Sequence, residues 1–230
     1  MSTAIDAKHK TTREINREIK ERIAAGETHL RVSSVEAQHN LAVGLTTKVS
    51  IVFQGSVGYY CGGLTDGAAI EVLGSAGWGL GESMLSGTIS VQGNAGNSCA
   101  ASIRGGLVVV RGNAGARAGI SMKGGLLIIE GDCGYMTGFM MQKGVIIVCE
   151  DAGPALADSM YEGTVYVGGR VGDLGNDAVV HEPDENDWLF LRSNLERSGI
   201  DSNRPFKKVV AGRKLWNFDK QEIGLWKEAL

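Results

Sequence analysis

Proline is nearly missing from this chain, with 3 residues in 230. Aromatic residues make up only 6%, and the net charge is −3. So weak a field excludes a chain built to hold nucleic acid or anionic membrane by bulk charge. No aromatics are interleaved with the basic residues to stack on bases. Apolar runs are short: the longest, such as Val145 to Cys149, fall far below the ~20 residues that span a bilayer. The opening "MSTAIDAKHK" is polar and unlike a secretory signal, so a cytoplasmic location is expected. Cysteine is sparse too. Cys61, Cys99, Cys133 and Cys149 form no C-x-x-C pair, and no histidine stands near them at zinc-ligand spacing. They read as small buried apolar residues.

Glycine is what the chain has in quantity, 34 residues. Glycine without proline, set among β-branched residues, fits neither collagen nor a disordered linker. The glycines keep time. Units opening at Val49, Ala68, Gly87, Gly106, Gly125, Gly144 and Gly163 follow one another every nineteen residues. The seventh column reads Gly55, Gly74, Gly93, Gly112, Gly131, Glu150, Gly169, and the tenth Gly58, Gly77, Gly96, Gly115, Gly134, Gly153, Gly172. The fourteenth is small until Asn176. The third column (Ile51 to Val165) and the fifth (Phe53 to Val167) are aliphatic or, at Phe53, aromatic. They share one face of a strand, because side chains alternate with period two. A further column runs Thr65, Met84, Ile103, Met122, Met141, Met160, Val179.

Nineteen residues hold two or three short strands and tight corners, with no room for a helix besides. The pattern therefore predicts an all-β core, a parallel β-helix of about seven 19-residue turns stacked ~4.8 Å apart. The aliphatic columns fill its bore. The glycines serve as structural corners, where φ is positive or close backbone approach excludes a β-carbon. Short helical extensions flank the coil. Residues 1–28 form the first, with Ile15, Ile19 and Ile23 on one face, Thr11 or Thr12 as cap and Gly26 as stop. The coil spans 29–182, its first segment "HLRVSSV" (29–35) being an imperfect capping turn. Residues 183–230 form the second extension, with a helix in "DENDWLFLRSNLERSG" (184–199) capped by Asp184 or Asp187 and stopped at Gly199, a hairpin over 205–218, and a last short helix in "KQEIGLWKEAL".

Outward positions of the later turns are unexpectedly apolar: Leu107, Val109, Leu126, Ile128, Val145, Ile147 and Tyr166. A strand apolar on both faces is covered on both. Either the chain's own tail or another subunit lies over them, and since large apolar patches mark partners, these seven are expected at an interface. Arg111 and Glu130, one rung apart, are expected to pair.

No catalytic set emerges. His9, His29, His39 and His181 lie outside the repeats or at their end, and no Ser-His-Asp or Cys-His grouping is indicated. The glycines of "GSAGWGLGE" (74–82) coincide with the repeat and open no helix, so they make no dinucleotide cradle. The corners "GNAG" (93–96, 112–115) could offer N–H nests to an anion. Among the acids, Asp132 and Asp151 share a column one turn apart, a candidate acid–base pair, with Asp158 elsewhere in its unit.

The glycine columns, with "SGTISVQGNAG" and "GGLVVVRGNAGARAG", resemble the GXGXG domain, which closes the large subunit of glutamate synthase and forms the C subunit of formylmethanofuran dehydrogenase. The resemblance covers about residues 30 to 182 and implies a right-handed parallel β-helix. The helical lead-in "TTREINREIKERIAAG" is closer to the branch whose three modules are separate polypeptides, which includes N-methylglutamate synthase. The resemblance implies a hetero-oligomer: an amidotransferase-like subunit, this coil as a non-catalytic part, and a flavin-binding synthase-like subunit. FMN, and an iron–sulfur cluster where one is present, would sit on the partner subunits, and none on this chain. The amidotransferase nucleophile is an amino-terminal Cys, whereas Ser2 follows Met1 here. Glu150 departs from the glycine column, as a kink or a partner contact. A glutamate synthase subunit, a formylmethanofuran dehydrogenase C subunit and a free-standing β-helix enzyme acting on a small anion remain alternatives.

Overall fold

The computed structural model describes residues 4–212. Its backbone is a parallel β-solenoid flanked by two helices. A short strand β1 (Ile5–Asp6) precedes α1 (Thr12–Ala24), and the coil follows through β2 (His29–Glu36), β3 (Ser50–Ser56), β4 (Asp66–Val72), β5 (Ser86–Val91), β6 (Leu107–Val110), β7 (Lys123–Ile129), β8 (Lys143–Val148) and β9 (Thr164–Val167). Then come β10 (Ala178–His181), α2 (Glu185–Arg197) and β11 (Lys207–Ala211). From β3 to β9 each strand pairs in parallel with the next at a nineteen-residue offset, so that Ile51, Ile70, Ile89, Val108, Leu127, Ile146 and Val165 form one ladder. A second ladder runs through Val57, Ala76, Ala95, Ala114, Cys133, Ala152 and Val171.

The bore is filled as the periodicity predicts. The third and fifth columns are buried from end to end, and so are Met84, Ile103, Met122, Met141 and Met160. A further interior column, Cys61, Leu80, Cys99, Ala118, Thr137 and Leu156, is equally buried. It escapes a hydrophobic scan because it mixes thiols, small residues and a threonine, whose hydroxyl donates to the Gly134 carbonyl at 3.0 Å.

Two different physical demands explain the glycines. The fourteenth column is left-handed, at φ +68° for Gly62 and +66° for Gly119, although alanine holds the same conformation at Ala100. The tenth column is not left-handed. There a β-carbon would strike the rung below: at Gly77 it would come 2.7 Å from the Gly58 carbonyl carbon, and at Gly153 2.8 Å from that of Gly134. Close approach, rather than a turned backbone, holds glycine at most of the predicted corners.

The first turn, 29–48, is a full coil rather than a partial cap. β2 pairs in parallel with β3, and Ala37, Asn40 and Gly44 donate their N–H groups to the next turn. The amino-terminal segment is built into the same body, since β1 pairs with β2. Thr11 caps α1 in a capping box with Glu14, and Gly26 follows its end at φ +92°. Ile15 and Ile19 are fully buried in the cluster that fills the bore, so α1 closes the amino-terminal mouth.

The far end departs from the repeat. Leu156 bridges Leu174, eighteen residues on instead of nineteen. One residue is therefore lost from the last turn, which is why Asn176 and Val179 fall out of their columns. β10 does not join β9. β11 inserts between them, antiparallel to both, with Val209 opposite Val165 and Val180. The predicted hairpin over 205–218 is thus replaced, in its described part, by a strand paired with 178–181; the rest of it and the helix predicted in 220–230 lie outside the described residues.

Candidate functional site

The outward stripe is covered by the chain itself. Val109, Ile128, Ile147 and Tyr166 are buried beneath Leu191 and Leu195 of α2, together with Ile200 and Phe206, while Leu107, Leu126 and Val145 are partly buried against the same cluster. The seven residues expected at a subunit interface therefore form an internal one. The reason is local: Leu191 and Leu195, four apart, put two large apolar side chains on one helical face, and that face needs an apolar surface of its own.

Polar contacts pin the helix at both ends. Asp184 caps it and Asp187 completes the capping box, so the two predicted candidates share the role. Asp187 also accepts from the Tyr166 hydroxyl at 2.5 Å and from Lys208 Nζ at 2.8 Å. Burial would raise the Asp187 carboxyl, but the hydrogen bonds from Lys208, Tyr166 and the Asp184 N–H hold it below its ordinary 3.8. Burial, followed by the bond to Asp187, pushes Tyr166 upward. At the other end Arg111 donates to the carbonyls of Ser198 and Gly199, the negative pole of the helix. The same guanidinium meets Glu130 at 3.2 Å, as expected. Beyond the helix, Arg204 donates to the Cys149 carbonyl and the Glu150 carboxylate, both at 2.9 Å. Glu150 contacts the chain's own tail.

The candidate chemical groups are engaged in holding the coil together. Ser56, Ser75, Asn94, Asn113, Asp132 and Asp151 form a polar ladder: each side-chain oxygen accepts the backbone N–H nineteen residues on, at 2.8–3.1 Å. The Arg170 N–H and guanidinium hold the Asp151 carboxyl below its usual range. Asp132 and Asp151 are rungs of this ladder rather than a free acid–base pair. Asp158 accepts from Ser159 and from the N–H and side chain of Asn176. In "GNAG" at 93–96 every backbone N–H already donates to a neighbouring turn, which leaves no nest for an anion.

The four cysteines are buried and free, and burial pushes Cys61 and Cys99 to about 12 and Cys149 to about 11. Among the described residues no group of three His, Cys, Asp or Glu is arranged to hold a metal ion, and no helix is long and apolar enough to cross a membrane. The four histidines are not brought together. His39 stacks on Tyr59 at 4.3 Å between centroids, and Tyr59 on Trp78 at 5.4 Å. This exposed aromatic stack was not singled out from the sequence, although Tyr59 and Trp78 stand nineteen residues apart and share the eleventh column.

A glycine-punctuated parallel β-solenoid, closed by one helix and flanked by another, defines the class of protein. The profile of the GXGXG motif matches residues 1–182, and the chain belongs to the GXGXG family. Comparison with curated protein sequences returns no match. Among solved structures, a chain of the formyltransferase/hydrolase complex FhcABCD from Methylorubrum extorquens, crystallised with methylofuran, is similar at a TM-score of 0.67 and 24% identity, over 88% of this chain and 86% of that one. That likeness is one of fold.

Proposed function

We propose that this chain is a non-catalytic structural subunit of a glutamate-synthase-like complex, N-methylglutamate synthase being the reading its helical lead-in favours. In that role it holds an amidotransferase-like subunit and a flavin-binding subunit in register, while FMN and any iron–sulfur centre stay on those partners. The reaction of the assembly would join methylamine to glutamate with release of ammonia, in the cytoplasm.

What supports a scaffold role is the state of the carboxylates, each rung of the ladder being spent on a backbone N–H. The docking surface cannot be the stripe under α2. Large apolar side chains are exposed instead on the second and third turns: Tyr59 and Trp78, 48% and 55% exposed, with Leu64, Leu73 and Leu85. Exposed aromatics of this kind anchor protein interfaces. The likeness to a chain of FhcABCD favours a second reading, a subunit of a formyl-transferring complex on the same scaffold.

Purification with the products of neighbouring genes, followed by mass analysis and an absorption spectrum, tests both. Two partners and a flavin spectrum are expected. A formyltransferase partner without flavin would move the chain to the second reading, and a monomer turning over substrate alone would refute both.

A further inference from the structure

Outside α2, that helix and the loop after it flank an open depression of about 590 Å³ whose lining includes Trp188, Arg192, Glu196, Ser202, Arg204 and Pro205. That size falls within the range of small-ligand sites. Arg204 is held rigidly, because its Nη1 donates to both the Cys149 carbonyl and Glu150. Glu150 is the one residue that breaks the seventh glycine column. Its carboxylate therefore fixes an arginine at the rim of this depression. The Nε of Arg204 is buried with no acceptor. Among the described residues Nη2 has none either, and Arg192, on the exposed side of α2, forms no ion pair. Glu196 is the acid in the lining, and its carboxylate accepts weakly from Ser202 at 3.4 Å.

We propose that this depression is a carboxylate-binding site. Arg204 Nη2 and the Arg192 guanidinium donate to the two oxygens, and the flanks of Trp188 and Pro205 receive the attached carbon chain. Two guanidiniums in one lining suit a planar carboxylate. Glu196, four residues from Arg192 on the same helix and so beside it, disfavours a dianion, so inorganic phosphate binds less well. Glu150 and the Cys149 carbonyl act as positioning groups that hold Arg204 before the ligand arrives, which spares ordering cost. The inference stands on this chain alone and does not depend on the assembly.

Calorimetric titration of the purified full chain tests it, with butyrate as a free carboxylate and acetyl-Ala-Glu-Ala-amide as a side-chain carboxylate. Saturable binding of at least one is expected, phosphate being weaker, and the tighter of the two assigns the source. Arg192→Gln, at an exposed position, should weaken binding ~10-fold, the scale of one lost charge-assisted hydrogen bond. Glu150→Gln should weaken it several-fold while leaving the melting temperature nearly unchanged, because an exposed ion pair adds little to stability. The proposal is overturned if neither probe saturates, or if affinity is the same in Arg192→Gln.

Discussion

The hydroxyl of Tyr166, on the outward face of the last strand of the solenoid, donates to Asp187 in the first turn of α2 at 2.5 Å. Lys208 reaches the same carboxylate from β11, so three elements of the carboxyl-terminal region converge on one acid. Because Asp187 is held below its ordinary 3.8, its contribution to stability is present above about pH 4 and disappears as pH falls through the depressed folded value. Asp187→Asn should be the less stable protein at neutral pH, by about 1–3 kcal/mol. Urea melts repeated down to pH 2 should show the two proteins converging; a constant gap would refute the assignment.

Ile128 and Ile147 are fully buried between the sheet and α2, and their truncation bears on folding before it bears on assembly. Either substitution to Ala should cost about 2–5 kcal/mol, read from denaturant midpoints at unchanged slope. Hydrogen exchange should show α2 losing protection first, with the amides of the inner columns still slow.

The glycine columns predict a graded series. At Gly115 a new β-carbon would lie 2.5 Å from Asn97 Oδ1 and 2.9 Å from the Gly96 carbonyl carbon, so Gly115→Ala forces two rungs apart. A loss of about 1–3 kcal/mol is expected from such overpacking. Gly26, with nothing within 4 Å but φ at +92°, should cost about 1 kcal/mol from backbone strain alone. Equal effects in thermal melts would show that close approach is not what fixes the tenth column.

The polar ladder is open to the same kind of test. Asn113 accepts the Asp132 N–H and donates its own N–H to Asn94. Asn113→Ala keeps the second bond and loses the first, for a cost of about 1 kcal/mol. The amide of Asp132 should exchange faster than that of Asn113 by an order of magnitude or more; parallel changes in both would mean the ladder is not the protecting contact.

Much of this fold was legible because a solenoid writes its geometry as a period. Ile51 and Val165 are far apart in sequence yet belong to one column, and the offset of nineteen placed both in the bore. What the period hid were events that happen once. The loss of a single residue between Leu156 and Leu174 ended the register before residue 182, where the sequence pattern stops. The insertion of β11 beside β9 is a long-range pairing with no local signature. Composition favours a partner as the cover over Ile128, since large apolar patches mark interfaces, yet a stripe looks the same under a tail; only Leu191 and Leu195, one turn apart, point to the tail. Asp132 and Asp151 stand out as a candidate acid–base pair, though no catalytic set emerges from the sequence, for the same reason that they are structural: the coil stacks equivalent positions whatever they do.

The thiols offer a last test of how tightly the bore is sealed. Cys61 and Cys99 are fully buried, with burial holding them at about 12, and Cys149 at about 11. The thiolate is the species that reacts, and at pH 8 a group at 12 is ionised to about one part in 10⁴, against a substantial fraction for a free thiol near 8.5. In native protein Cys61 and Cys99 should therefore react with an aromatic disulfide reagent ~10³-fold more slowly than in the unfolded chain, and Cys149, at about 11, ~10²-fold more slowly, whereas all four cysteines should react once the chain is unfolded. Rapid labelling of Cys61 or Cys99 under native conditions would mean that the turns part from one another on the timescale of the assay, and the rigid stacked register on which the scaffold role depends would have to be abandoned.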